Sequence, residues 1–161
     1  MKTTFAIALV LAAGCSDEAD IGVSSTPVTC NTTPFADVSG GVSDPNGGTH
    51  YEFATATPSA TRTVDGATTL TLNGGSLLLR FGFYCGAANI ARYGVKGDTQ
   101  EGLDCPLEVA SVVLGRIEYL PAKGGTLIVD ENSNCLAGRF AVDFGGAGSI
   151  DGSFSAPWQQ Q

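Results

Sequence analysis

The chain has 161 residues and contains no apolar run long enough to cross a membrane. Its apolar stretch begins at Phe5 and stops before Cys15, where Ser16 and Asp17 follow. A membrane-spanning helix needs about 20 consecutive apolar residues, and this stretch has roughly half of them. Any attachment to a membrane is therefore expected to be chemical, not a helix buried in lipid.

Metal-binding patterns are also scarce. His50 is the only histidine, and no two of the five cysteines have the C-x-x-C spacing. Structural metal sites are usually built from such pairs, so neither a metal nor any other cofactor is predicted. The segments 44–48 and 130–134 are rich in oxygen side chains, but 130–134 lacks the glycine and the distal glutamate of a calcium loop. They are predicted to be β-turns whose Asp and Asn side chains bond to their own backbone.

Basic residues are few and isolated. The net charge is −8, and the lysines and arginines after the first few residues stand singly: Arg62, Arg80, Arg92, Lys96, Arg116, Lys123 and Arg139. Nucleic-acid binding needs clustered cations that displace counterions from phosphates. Nucleic acid is therefore excluded as an expected partner, and an acidic, solvated surface is predicted.

Catalytic motifs are missing as well. No serine lies in a G-x-S-x-G elbow, and Gly94-Val95-Lys96-Gly97 lacks the spacing and the hydroxyl of a phosphate-binding loop. A Ser-His-Asp arrangement would need His50, which lies in a strand pattern beside Tyr51. The prediction is that the protein is not an enzyme.

The N-terminus carries the clearest signal in the chain. Lys2 precedes the apolar run Phe5–Leu11, and small residues lead to Cys15, as in an export signal. The stretch Leu11-Ala12-Ala13-Gly14-Cys15 resembles the lipobox of bacterial lipoproteins. The resemblance implies cleavage before Cys15, a diacylglycerol on its thiol and an acyl chain, such as palmitate, on its amine. Two or three acyl chains anchor a protein far more firmly than one.

The residues after Cys15 bear on location. Ser16 stands where, in many double-membraned bacteria, an Asp favours retention in the inner membrane, so the resemblance implies the outer membrane. Asp17 and Glu18 are similar to the acidic signal that sends some lipoproteins to the cell surface. Short acidic segments also serve for plain solubility. Both the periplasmic face and the cell surface therefore stay open.

The rest of the chain predicts one domain. Residues 1–14 are predicted to be the signal peptide and 15–33 a lipidated flexible tether that is poor in large apolar residues. Residues 34–158 are predicted to form a single β domain, and 159–161 a frayed terminus. A domain of this size can bury about two-thirds of its unfolded surface.

Apolar and polar residues alternate through this domain, with breaks at Gly, Asn, Asp and Pro. Asn73-Gly74 lies between two alternating runs and predicts a tight hairpin, after which Leu77, Leu79, Phe81 and Phe83 share one face. Residues 136–144 and 149–156 predict a second hairpin, whose arms repeat Gly-x-Phe. Helical spacing is limited to one short turn near 87–93. The predicted fold is all-β, an antiparallel β-sandwich of about eight or nine short strands, with a small β-barrel as the alternative.

Four cysteines remain besides Cys15. Their even number in an exported chain predicts two disulfides. Three connectivities are possible; we favour Cys85 with Cys105, closing a long loop, and Cys30 with Cys135, fixing the start of the domain.

The predicted function is that of a membrane-anchored envelope lipoprotein whose β domain binds or supports other envelope components, either a protein or a glycan. The alternative is a small-ligand or carbohydrate carrier, which would need an apolar cavity of several hundred cubic ångströms. A hydrolase is the third hypothesis. Five aromatic side chains could line a groove, but core packing explains them better: Tyr51, Tyr84, Tyr93, Tyr119 and Trp158.

Overall fold

A computed structural model describes residues 22–44, 48–53, 55–83, 88–95, 107–113 and 118–159. These residues form strands almost throughout. In chain order the strands are β1 (Phe35–Ser43), β2 (His50–Glu52), β3 (Thr57–Arg62), β4 (Thr68–Asn73), β5 (Leu77–Phe83), β6 (Ala91–Gly94), β7 (Leu107–Val113), β8 (Glu118–Pro121), β9 (Gly124–Asn132), β10 (Cys135–Asp143) and β11 (Gly148–Gln159). A single 3-10 turn, Gly145–Ala147, separates the last two strands. The all-β prediction is confirmed.

All the strands belong to one hydrogen-bonded sheet that curls around the core. Its order is β6-β9-β10-β11-β3-β4-β5-β7-β8, and β1 pairs with β11 and with β2. The curl depends on β11, the longest strand. Its first part lies between β10 and β1, and its end pairs in parallel with β3 through Trp158 and Gln159. One strand therefore joins the two halves of the sheet.

The core lies on the concave side. Leu77, Leu79, Phe81 and Phe83 of β5 are all buried, so the predicted face of this strand is confirmed. The ring of Phe81 meets the ring of Phe140 of β10 edge-on, with 5.1 Å between the centroids. This contact spans the concave side from one half of the sheet to the other. Aromatic pairs in this geometry stabilise a core beyond the area they bury.

The hairpin predicted at Asn73-Gly74 is confirmed as β4–β5. Asn73 pairs with Leu78, and the N–H of Gly74 donates to the carbonyl of Leu77 at 2.9 Å. The residue with positive φ is Gly75, at 84°, one position later than the motif suggested. Gly74 and Leu77 therefore close a two-residue loop, Gly75-Ser76, whose first residue is a glycine with positive φ, which is a common hairpin form.

The second predicted hairpin is confirmed as β10–β11, and its Gly-x-Phe repeats fit one another. Gly138 pairs with Phe154, and Gly152 pairs with Phe140. A Cβ on Gly138 would lie 2.2 Å from the carbonyl oxygen of Ile128 and 3.2 Å from the ring of Phe154. The register between β9 and β10 also shifts at Gly138, which marks a β-bulge. The glycine therefore allows both the bulge and the close approach of the ring.

Several expectations need correction. The described residues contain eleven strands instead of eight or nine, because segments such as β3 and β6, which the alternation did not indicate, also pair. The short helical turn expected near 87–93 is wrong: Ala91–Gly94 forms β6, since it adds to β9 at Ala91↔Val129. The final strand extends to Gln159.

Candidate functional site

The segment before β1 is fixed to the sheet. We call residues 22–34 the N-terminal arm. Cys30 forms a disulfide with Cys135 at the start of β10, with 5.7 Å between the Cα atoms. This pairing of the two expected disulfides is confirmed. Cys85 and Cys105, the second predicted pair, lie outside the described residues, as does Cys15.

The β-bulge on β9 supplies the second attachment of the arm. Ala137 pairs with Glu131 and Gly138 with Val129, so Asp130 is the extra residue of β9. Its carboxylate accepts two hydrogen bonds from the Arg139 guanidinium, at 3.1 and 3.2 Å, and a third from the N–H of Val28 at 3.0 Å. Only 9% of the Asp130 side chain and 12% of the Arg139 side chain are exposed. A shielded, two-pronged ion pair thus lies directly under the arm.

Further bonds extend this contact along the arm. Arg139 also donates to the carbonyl of Ser24, the N–H of Cys30 donates to Glu131 at 2.7 Å, and the N–H of Asn31 donates to the Ser155 hydroxyl at 3.0 Å. The sequence predicts a flexible tether over 15–33 and a domain that begins at residue 34. Within the described residues, backbone groups of the arm from Ser24 to Asn31 are hydrogen-bonded to side chains of the sheet.

Glu131 makes the attachment sensitive to acid. The Ser133 hydroxyl, and then the Cys30 N–H, stabilise its charged form and lower the pKa of this carboxyl below the usual 4.5. A lowered folded-state pKa gives stability that is present above 4.5 and is lost as the pH falls through the folded value.

We therefore expect Glu131→Gln to reduce the acid sensitivity of folding. Thermal melts across the pH range should show the wild type losing more stability than the variant below pH 4.5. Ser133→Ala is the matched control: it removes the main cause of the shift but keeps the carboxyl, and it should give an intermediate curve. Identical acid limbs for wild type and Glu131→Gln would contradict this role.

Two open grooves flank β1. One, of about 230 Å³, is lined by polar side chains of the convex face and by the arm, including Ser24, Asp37, Ser39, Asp151 and Ser153. The other, of about 370 Å³, lies on the opposite side of β1 and is lined by Phe35, Ala36, Asp37, Val38, Thr55 and Ala56. Asp37 belongs to both. In the first groove the Ser39 hydroxyl donates to Asp151 at 3.1 Å, so this carboxylate already has a partner.

His50 is a surface residue. Its Nδ1 lies 3.0 Å from the Ser43 hydroxyl and its Nε2 lies 3.6 Å from Glu52. Ser43 and His50 are simply cross-strand partners of β1 and β2. Half of the His50 side chain and three-quarters of the Glu52 side chain are exposed, and neither groove beside β1 includes them. The His50 imidazole and the Ser43 hydroxyl are within hydrogen-bond distance, but they lack the enclosed, oriented surroundings that activate a nucleophile.

The aromatic side chains that could have lined a groove do not come together where the structure describes them; Tyr84 and the side chain of Tyr119 lie outside the described residues. Trp158 is partly buried against the core, and the Arg62 guanidinium lies 4.6 Å from its ring centroid. Tyr93 meets Phe83 edge-on at 5.2 Å, and Tyr51 packs against the core. These three side chains belong to separate parts of the fold and serve packing.

In the part of the chain that the structure describes, no group of three His, Cys, Asp or Glu side chains is placed to hold a metal ion. No helix of the described residues is long and apolar enough to cross a membrane. No protein-family model, curated protein or solved structure matches the chain. The site must therefore be interpreted from its own geometry.

Proposed function

We propose that this protein is a bacterial envelope lipoprotein, anchored to the outer membrane through Cys15, whose β domain has a non-catalytic binding or structural role. The observation that supports this most is the attachment of the N-terminal arm. A chain held to its sheet by the Cys30–Cys135 bridge and by Asp130 suits a domain presented from its N-terminal end. The disulfide also suits an oxidising compartment outside the cytoplasm.

The arm limits how far the domain can stand from its anchor. Ser24, where the Arg139 guanidinium holds the arm, lies nine positions after Cys15. An extended chain covers at most about 3.5 Å per residue, so the connection reaches roughly 30 Å. In this proposal the convex side of β10 and β11, across which the arm runs, is held near the lipid surface.

A β-sandwich is the form we propose for the curled sheet. Support comes from the contact of Phe81 with Phe140, which places β5 opposite β10 across the core. The neighbouring core residues Leu70, Leu127 and Ile150 are fully buried. An interior filled in this way favours the sandwich over a barrel with a central ligand cavity.

The anchor is tested by Cys15→Ser. In cells given an alkyne analogue of palmitate, the wild type should be labelled and should fractionate with the outer membrane, because two or three acyl chains make release negligible. Cys15→Ser should lose all label. Ser16→Ala, which keeps the thiol, is the matched control and should stay labelled. Undiminished labelling of Cys15→Ser would overturn the proposal.

Orientation in the membrane is a separate question with its own experiment. Added protease should digest the protein on intact cells if Asp17 and Glu18 act as a surface signal, and the variant Asp17→Asn/Glu18→Gln should then be protected. Full protection of the wild type while the outer membrane is intact would place the domain on the periplasmic face.

The alternative function is a carrier of a small apolar ligand or a carbohydrate. The groove of about 370 Å³ beside β1 is the feature that favours it, since Phe35, Ala36, Val38 and Ala56 supply apolar surface. Its volume is at the low end for ligand pockets. A hydrolase would depend on Ser43 and His50, and the exposure of half of the His50 side chain argues against that role.

A further inference from the structure

One edge of β1 is paired with a neighbouring strand over only part of its length. Towards β11 the strand is paired along its length, from Phe35↔Ser155 to Val42↔Gly148. On the other side β2 pairs only with Gly41, Val42 and Ser43. We call the remaining edge, over Phe35–Ser39 and facing away from β11, the β1 rim. No strand of the described residues pairs with it.

The backbone groups on the β1 rim can be assigned from the neighbouring hydrogen bonds. The Phe53 N–H donates to the Gly40 carbonyl at 3.3 Å, and the Asp44 N–H donates to the Thr49 carbonyl at 2.8 Å. The even-numbered residues of β1 therefore direct their backbone N–H and C=O groups towards β2. Because these directions alternate along a strand, the N–H and C=O groups of Ala36 and Val38 lie on the β1 rim.

The chain makes room beside these groups. Thr55 and Ala56 form the far wall of the groove of about 370 Å³, and residues 35–38 form the near wall. Ala36, Val38 and Ala56 are partly buried and pack against the core. The groove therefore combines an apolar floor with unpaired strand backbone, which is the arrangement that accepts an added strand.

The charge around the groove indicates the charge that a bound partner should carry. Among the described residues that line it, Asp37 alone is charged, and the chain carries a net charge of −8. A second copy of the chain would bring another −8 and another Asp37 to the same edge, which disfavours self-pairing. An extended segment with a lysine or arginine opposite Asp37 has the complementary charge.

We propose that the β1 rim binds an extended, cationic segment of a partner protein by strand addition. This deepens the binding role proposed above, and it depends on the lipid anchor only for where the partner is met. The five residues of the rim match a short peptide strand of about 17 Å. Main-chain bonds to Ala36 and Val38 supply the attachment, and Asp37 supplies the charge preference.

The test uses the exported protein purified in detergent and a fluorescent peptide, TVKVTVK, as the probe. Saturable binding by anisotropy is expected, together with slower amide hydrogen exchange at Ala36 and Val38. Ala36→Pro removes one rim N–H that has no partner in the sheet, so the variant should keep its melting temperature and bind the peptide about tenfold more weakly. A peptide N-methylated at alternate residues should not bind.

Charge reversal provides a second variant that does not alter the backbone. Asp37 is exposed, and Asp37→Lys should weaken TVKVTVK and strengthen TVEVTVE, each by about threefold at low salt. Equal binding of both peptides by wild type and Asp37→Lys, or unchanged exchange at Ala36 and Val38 on saturation, would overturn the proposal. Peptide binding and amide exchange do not depend on acylation. The strand-addition proposal can therefore fail while the lipid anchor is upheld, and the lipid anchor can fail while strand addition is upheld.

Discussion

Replacing the bridged pair by Cys30→Ser/Cys135→Ala is expected to lower the free energy of unfolding by about 4 to 5 kcal/mol. The two cysteines are 105 residues apart, so the bridge restricts most of the unfolded chain, and long loops gain the most in the chain-entropy model. Alanine suits position 135 because that side chain is only 5% exposed. Urea denaturation without reductant measures the change.

A substitution is preferable to a reducing agent here, because reductant would also break the bridge that the sequence predicts between Cys85 and Cys105. The variant Cys85→Ser/Cys105→Ser, with Cys30 and Cys135 intact, is the matched control. If Cys30→Ser/Cys135→Ala lost less than about 1 kcal/mol, the arm would be held without the bridge. The restriction that the bridge places on the unfolded chain would then contribute little to stability.

The second large effect is expected at the bulge. Asp130→Ala leaves the Arg139 guanidinium without its carboxylate and the Val28 N–H without its acceptor. Removing one member of a shielded ion pair costs about 3 kcal/mol, because the remaining charge keeps its desolvation penalty. Chemical denaturation should show this loss, and amide exchange at Val28 should become faster.

Two control variants distinguish the effect of the ion pair on stability from the effect of its surroundings. Asp130→Leu/Arg139→Met replaces both charges with apolar groups and should recover most of the lost stability. Asp151→Ala removes an exposed carboxylate of the same face and should change stability by about 0.5 kcal/mol or less. If Asp130→Ala were as mild as Asp151→Ala, the shielded pair would not be what fixes the arm.

The hairpins were predictable because their signals are local. Alternation on both sides of Asn73-Gly74 and across residues 136–156 sets strand, turn and buried face within a few residues. The order of the sheet was not predictable in this way. Pairing of β1 with β11 joins residues more than a hundred positions apart, and the parallel end of β11 beside β3 has no sequence signature.

The arm shows the limit of composition as a guide. Residues 16–33 are poor in large apolar side chains, which predicts a free tether. Polar backbone groups can still be held when the domain offers carboxylates at matching positions, as Asp130 and Glu131 do for Val28 and Cys30. Only the cysteine signalled this contact. The bulge that presents Asp130 depends on the register between β9 and β10, which the sequence does not express.

We propose that the domain is joined to lipid at Cys15 and that its N-terminal arm is held a second time at Cys30. Mass spectrometry of the protein extracted from outer membranes and digested without reduction measures both joints at once. We predict an N-terminal peptide that begins at Cys15 and carries diacylglycerol, and a peptide pair linked through Cys30 and Cys135. An unacylated N-terminus at any other residue would contradict the anchor.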